Sequence, residues 1–117
     1  MRSHHRLEAW QEAMELVKQI YSLTAQFPKE EMYGLASQMR RSAVSVPSNI
    51  AEGAARNSER EFLQFLSVAR GSLSELETQV LIAKDLNYNV DEQLLHQINT
   101  VFARIGGLIN SIKRKML

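Results

Sequence analysis

From Phe62 to Ala83 the apolar residues Phe62, Leu66, Ala69, Leu73, Leu76, Val80 and Ala83 recur at alternating steps of four and three. That spacing puts them all on one stripe of an α-helix, and would scatter them over both faces of a strand. A second run, Leu95, Ile98, Phe102, Ile105, Ile109, Ile112 and Met116, keeps the same rhythm towards the C-terminus. Phe65 and Val68 flank the first seam. No stretch alternates with a period of two, so the apolar stripes must be buried against other helices.

The remaining helices are read from weaker patterns and from their ends. The first is expected from Leu7 to Gln26, with Leu7, Trp10, Met14, Val17 and Tyr21 as its stripe and Glu8, Glu12, Glu15 and Gln19 opposite. Ala13, Leu16, Ile20 and Leu23 add a second row, a width that suits contact with more than one neighbour. Phe27-Pro28 ends it, since residues before proline avoid the helical region. After a loop, Lys29 to Glu31, the second helix is expected over 31–54, with Gly34 inside its first turns and Gly53 to Asn57 as the following turn. Ser58 with Glu61 reads as a capping box opening a third helix over 59–85. Asn89 with Glu92 repeats the signal for a fourth helix over 91–115. Gly34, Gly71 and the Gly106-Gly107 pair each cost helix stability, ~1 kcal/mol relative to alanine, so close helix packing is expected at all of them. The fold class is all-α: a single domain, residues 1–117, built as an up-down-up-down antiparallel four-helix bundle.

Gln38 to Gly53, QMRRSAVSVPSNIAEG, departs from an ordinary surface helix. Met39, Ala43, Val46 and Ile50 form its apolar row, while Gln38, Ser42, Ser45, Asn49 and Glu52 form a stripe of mostly small polar side chains beside it. Pro47 in the middle has no N–H for the carbonyl of Ala43, which kinks or ends a helix. Ser45, Ser48 and Asn49 stand ready to hydrogen-bond the loosened backbone. Two readings follow: a helix interrupted at Pro47, or one continuous kinked helix whose polar stripe is a seam against another helix or subunit. The apolar rhythm runs in phase through the proline and favours the second. Arg40 and Arg41 point about 100° apart on a helix, so one can reach solvent or a phosphate while the other pairs with a carboxylate such as Glu52.

Composition narrows the function classes. The chain has 117 residues, 44% hydrophobic and 23% charged, no cysteine and a net charge of +1. Disulfides and thiolate zinc sites are excluded, and no run approaches the ~18 apolar residues of a membrane span, so a cytoplasmic protein is expected. Near-neutral charge means that any nucleic-acid binding has to come from a local patch. A di-iron bundle needs paired Glu-x-x-His motifs, and there are none; His4 and His5 lack a third ligand nearby. Ser45 and Ser48 lie in a helical pattern without a neighbouring histidine, and no glycine-rich phosphate loop occurs. Neither an enzyme nor a cofactor is expected.

Tyr33-Gly34-Leu35, the QMRRSAVSVPSNIAEG run, and Phe62, Phe65, Leu66, Ala69 and Gly71 resemble a family of small bacterial four-helix-bundle proteins encoded in intervening sequences of large-subunit ribosomal RNA genes. The accessory protein of diversity-generating retroelements is similar. That resemblance, which covers the chain from about Leu7 onward, implies a ring-like homo-oligomer, a pentamer, that works with RNA and with a partner such as a reverse transcriptase. On this reading the nucleic-acid-binding residues are Arg40, Arg41, Arg56, Arg60, Arg70, Lys84, Lys113, Arg114 and Lys115, of which only Arg40 and Arg41 lie in the shared motif. The oligomer or helix-packing seam is Gln38, Ser42, Ser45, Pro47, Asn49, Glu52 and Gly71. The alternative is a protein-interaction scaffold without nucleic-acid affinity, its arginines paired with Glu59, Glu61, Glu75 and Glu77.

Overall fold

Four helices, each opened or closed by an identifiable local device, make up the computed structural model, which describes residues 1–117. They are α1 (Glu8–Thr24), α2 (Leu35–Ala54), α3 (Glu59–Asp85) and α4 (Glu92–Lys115), with short 3-10 turns at Ser3–Arg6 and Lys29–Glu31. In α1 the last turn tightens through bonds from Gln26 N to Leu23 O and from Phe27 N to Thr24 O, both 3.1 Å, so the helix stops at Thr24 instead of residue 26. At the start of α2, Glu31 Oε1 accepts from the Leu35 amide at 3.3 Å. Gly34 stands just before the helix, outside its first turn, at φ −110° and ψ −112°. Helix α2 therefore begins four residues later than expected.

The Ser58 hydroxyl accepts from the Glu61 amide at 3.1 Å and donates to the Glu61 carboxylate at 3.3 Å, and α3 starts where its cap requires. Asp91, not Asn89, caps α4: its carboxylate accepts from the Leu94 amide at 2.8 Å. A capping oxygen reaches the amide three residues on, and for Asn89 that is Glu92, only the first residue of the helix. Asn87, at φ 63°, closes α3, with the Tyr88 amide bonded back to Ala83 O at 3.0 Å.

Helix α2 packs on α1 and α3, and α4 packs on the same two, while the backbones of the diagonal pairs do not come close. Arg40 meets Thr24 while Ala51 faces Trp10, Ser42 meets Glu75 while Ser45 meets Ser72, and Glu8 meets Arg104 while Glu12 meets Gln97. The result is a rod of 48 × 23 × 22 Å.

Its core takes most of the apolar rows of α2, α3 and α4, among them Met39, Ile50, Leu66, Leu73, Ile98 and Ile105, but Phe62, Leu95 and Phe102 of those rows are half-buried, and in α4 Leu94 and Val101 are buried instead. Met116, the last residue of the α4 seam, and Val68, on the flank of the α3 seam, are exposed. In α1 the order of the two rows is reversed. Ala13, Leu16, Ile20 and Leu23 are the core, while Met14 and Tyr21 of the other row are exposed. With α2 on one side and α4 on the other, the middle of a wide apolar face is buried and its edge is left at the rim.

Glycine packing also differs from expectation. A Cβ at Gly71, Gly106 or Gly107 would meet open space, so none of these permits a close contact within the chain. Gly53, which belongs to α2 and not to a turn, is the position of close approach: a Cβ there would lie 2.7 Å from Phe65 Cβ and 2.9 Å from Phe62 Cδ1. Helix α2 runs unbroken through Pro47. No helix is long and apolar enough to cross a membrane.

Candidate nucleic-acid interface

The polar stripe of α2 turns towards α3 of the same chain. Ser42 is buried and donates to Glu75 Oε1 at 3.1 Å. Asn49 Nδ2 donates to Ser45 O at 2.8 Å and to Ser45 Oγ at 3.0 Å, and Ser45 Oγ lies 2.8 Å from Ser72 Oγ. Asn49, Ser45 and Ser72 thus form one hydrogen-bonded chain, in which either serine hydroxyl can donate to the other. The carbonyl that Pro47 deprives of an N–H is that of Ala43, so the Asn49 bond to Ser45 O does not replace the lost one, and Ser48 is exposed and takes no part. Pro47 is buried with the row, whereas Gln38, Glu52 and Gly71 are exposed. The sequence grouped these residues as one seam. Ser42, Ser45 and Asn49 form the α2–α3 contact, and Gly71 lies outside it.

The two adjacent arginines separate as their 100° offset requires. Arg40 holds α2 to α1: Nε donates to Thr24 Oγ1 at 2.8 Å, Nη2 donates to Tyr21 O at 3.4 Å, and the guanidinium lies 4.5 Å from the Tyr21 ring centre. Arg41 is exposed and has no acidic partner. Glu52 pairs with Arg56 at 3.2 Å, one helical turn away, and Arg56 also covers the Phe65 ring at 4.8 Å. The other ion pairs are Lys18 with Glu15 and Arg104 with Glu8. Arg60, Arg70, Lys84, Lys113, Arg114 and Lys115 are therefore unpaired and exposed, and so are Glu59, Glu61 and Glu75; Glu77 is unpaired and half-buried.

Glu8 meets Arg104, Trp10 lines the same groove as Ala51, and Gly53 lies against Phe62 and Phe65, so the start of α1, the end of α2 and the start of α3 share one end of the rod with the later turns of α4. That end carries Arg2, Arg6, Arg56, Arg60, Lys113, Arg114 and Lys115 against Glu8, Glu52, Glu59 and Glu61. The other end carries Lys29 and Lys84 against Glu30, Glu31, Asp85, Asp91 and Glu92. A nearly neutral chain is thus basic at one end and acidic at the other. Of the nine cations singled out from the sequence, Arg56, Arg60, Lys113, Arg114 and Lys115 gather at the basic end. Arg40, Arg41 and Arg70 lie along the sides, and Lys84 sits beside Asp85 at the acidic end. Composition hides this segregation, because it depends on which helix ends meet.

Two further features were not legible as motifs. Glu31 links the start of α2 to the α3–α4 connection, its second oxygen accepting from Tyr88 OH at 2.9 Å. That bond, with smaller contributions from desolvation and nearby acids, pushes the Tyr88 pKa up. Gln79, on the flank of the α3 seam, is only 7% exposed and its Oε1 has no hydrogen-bond partner. No three His, Cys, Asp or Glu side chains converge as a metal site would need.

These features define an all-helical protein with four helices and one basic end. The chain belongs to the 23S rRNA-intervening sequence protein family, whose model matches residues 5–111. No curated protein matches it.

Proposed function

We propose that the protein is a non-enzymatic, homo-oligomeric, up-down-up-down bundle with α2 kinked at Pro47, and that it binds RNA through its basic end. The observation that carries this reading is the segregation of charge. Lys113, Arg114 and Lys115 fill the last turn of α4, and neither they nor Arg60 have a carboxylate within ion-pairing distance. Free cations that neutralise the phosphates of a nucleic acid release the counterions condensed on it, which favours binding. The family's association with ribosomal RNA gives the same direction. Assembly is supported by an uncovered apolar groove between α1 and α2, lined by Trp10, Met14, Val17, Val44 and Pro47. A symmetric ring would bring several basic ends together and multiply a modest patch. The pentameric state and a partner such as a reverse transcriptase rest on the resemblance alone.

The test is binding of labelled single-stranded and structured RNA across a salt series, alongside light scattering for the assembly. The expected result is an affinity whose logarithm falls steeply with the logarithm of salt concentration. Absence of binding even at low salt would overturn the RNA reading and leave a scaffold. A monomer by light scattering would overturn the oligomer.

A further inference from the structure

Between α2 and α3 lies an open cleft of about 390 Å³ with no apolar residue in its lining, formed chiefly by Gln38, Arg41, Ser45, Ser72, Glu75 and Gln79. Most of the helix–helix surface in this bundle is apolar, so an entirely polar cleft is a departure. The second observation is Gln79 itself. It is more than nine-tenths buried, lines this cleft, and its carbonyl oxygen has no partner. A buried amide without a partner destabilises a fold, and an apolar residue beside Leu76 and Val80 would pack without that cost. Its presence points to a ligand that completes its hydrogen bonds.

The surrounding groups specify the ligand's chemistry. Glu75 takes the Ser42 hydroxyl on Oε1 and has no cation beside it, so its other oxygen is an open acceptor. Ser72, joined to Ser45 through its hydroxyl, adds a polar group to the same wall. A carboxylate repels phosphate, which excludes the backbone of a nucleic acid from the floor of the cleft. Arg41 belongs both to this cleft and to an adjoining shallow pocket lined by Tyr21, Met32 and Tyr33. Tyr33 is 92% exposed, an aromatic face without a covering partner. A free arginine and an open aromatic ring beside a polar floor are the parts of a single-strand site: phosphate contact, stacking platform and base-edge reader.

We infer that this cleft is a subsite for one unpaired guanine nucleotide of an RNA strand. The base edge meets Glu75 and Gln79, a phosphate meets Arg41, and a flanking base stacks on Tyr33. Guanine is selected because its N1–H and N2–H₂ lie side by side and donate together to one carboxylate, which no other standard base does. This inference rests on the RNA-binding reading.

The experiment compares two short labelled oligomers, an oligouridylate carrying one central guanosine and the same strand without it, by fluorescence anisotropy. The guanosine strand is expected to bind about tenfold more tightly to the wild type. Glu75→Gln and Gln79→Met should each abolish that preference, read as the ratio of the two affinities within each variant. Gln79→Met is also expected to melt no lower than the wild type, which separates ligand binding from structural support. Equal affinity for the two strands, or a preference that survives both substitutions, would overturn the subsite and leave the basic-end reading intact. If the wild type binds neither strand, both readings fall together.

Discussion

At Gly53 a single methyl group decides how α2 and α3 meet. The Phe65 and Phe62 side chains occupy the space a Cβ would need. Gly53→Ala should therefore destabilise the protein by about 1–3 kcal/mol through overpacking. Gly71→Ala, with open space around it, should stabilise α3 by up to ~1 kcal/mol. Urea denaturation of the two variants checks both, and a loss of stability at Gly71 would contradict its openness. In the sequence the two glycines look alike, since each interrupts a helical pattern; only the neighbour across the contact separates them. Tyr88 adds a pH signature. Its hydrogen bond to Glu31 raises its pKa above the usual 10.0, so this contribution to stability is full below about pH 10 and is lost as pH rises through the raised value. Alkaline melts should show Tyr88→Phe losing less stability than the wild type over that range.

Helix ends and seams respond to different substitutions. Ser58→Ala and Asp91→Ala each remove an oxygen that accepts from an otherwise unpaired amide and should cost about 1 kcal/mol. Asn89→Ala, at the other candidate start of α4, should change stability by less than about 0.5 kcal/mol. Thermal melts distinguish the two positions. Ser45→Lys should destabilise the folded chain by about 2 kcal/mol, because the Asn49–Ser45–Ser72 chain joins helices of one molecule. A variant with unchanged stability but altered oligomer size would instead make Ser45 a subunit contact. The helix types and the α3 boundaries were legible because a four-three apolar rhythm and a capping serine act within one segment. The start of α2 was not, because Glu31 caps it from across a 3-10 turn.

Over the whole molecule, charge is arranged by topology. Lys113→Glu, Arg114→Glu and Lys115→Glu combined should weaken RNA binding by at least tenfold at moderate salt and flatten the salt dependence, while Lys84→Glu should leave both nearly unchanged. A salt series on the two variants gives the comparison. Comparable losses in both would mean that general charge, and not the basic end, governs binding. The unpaired state of Arg60 was not readable along the chain, where Glu59 and Glu61 flank it, and that of Lys113, Arg114 and Lys115, with no acid after Glu92, depended on which helix ends meet them.

The amino-acid sequence by itself determined that this protein is all-helical with four helices. Apolar spacing, proline and capping residues act over one to four residues and need no knowledge of distant partners. It also carried the family motif around Pro47. Tertiary structure alone decided which edge of α1 is core, which glycine permits close approach, which of two adjacent arginines is free, and that Gln79 is buried without a partner. Each of these depends on what lies across a helix contact, and that is fixed only when segments far apart in the chain pack together.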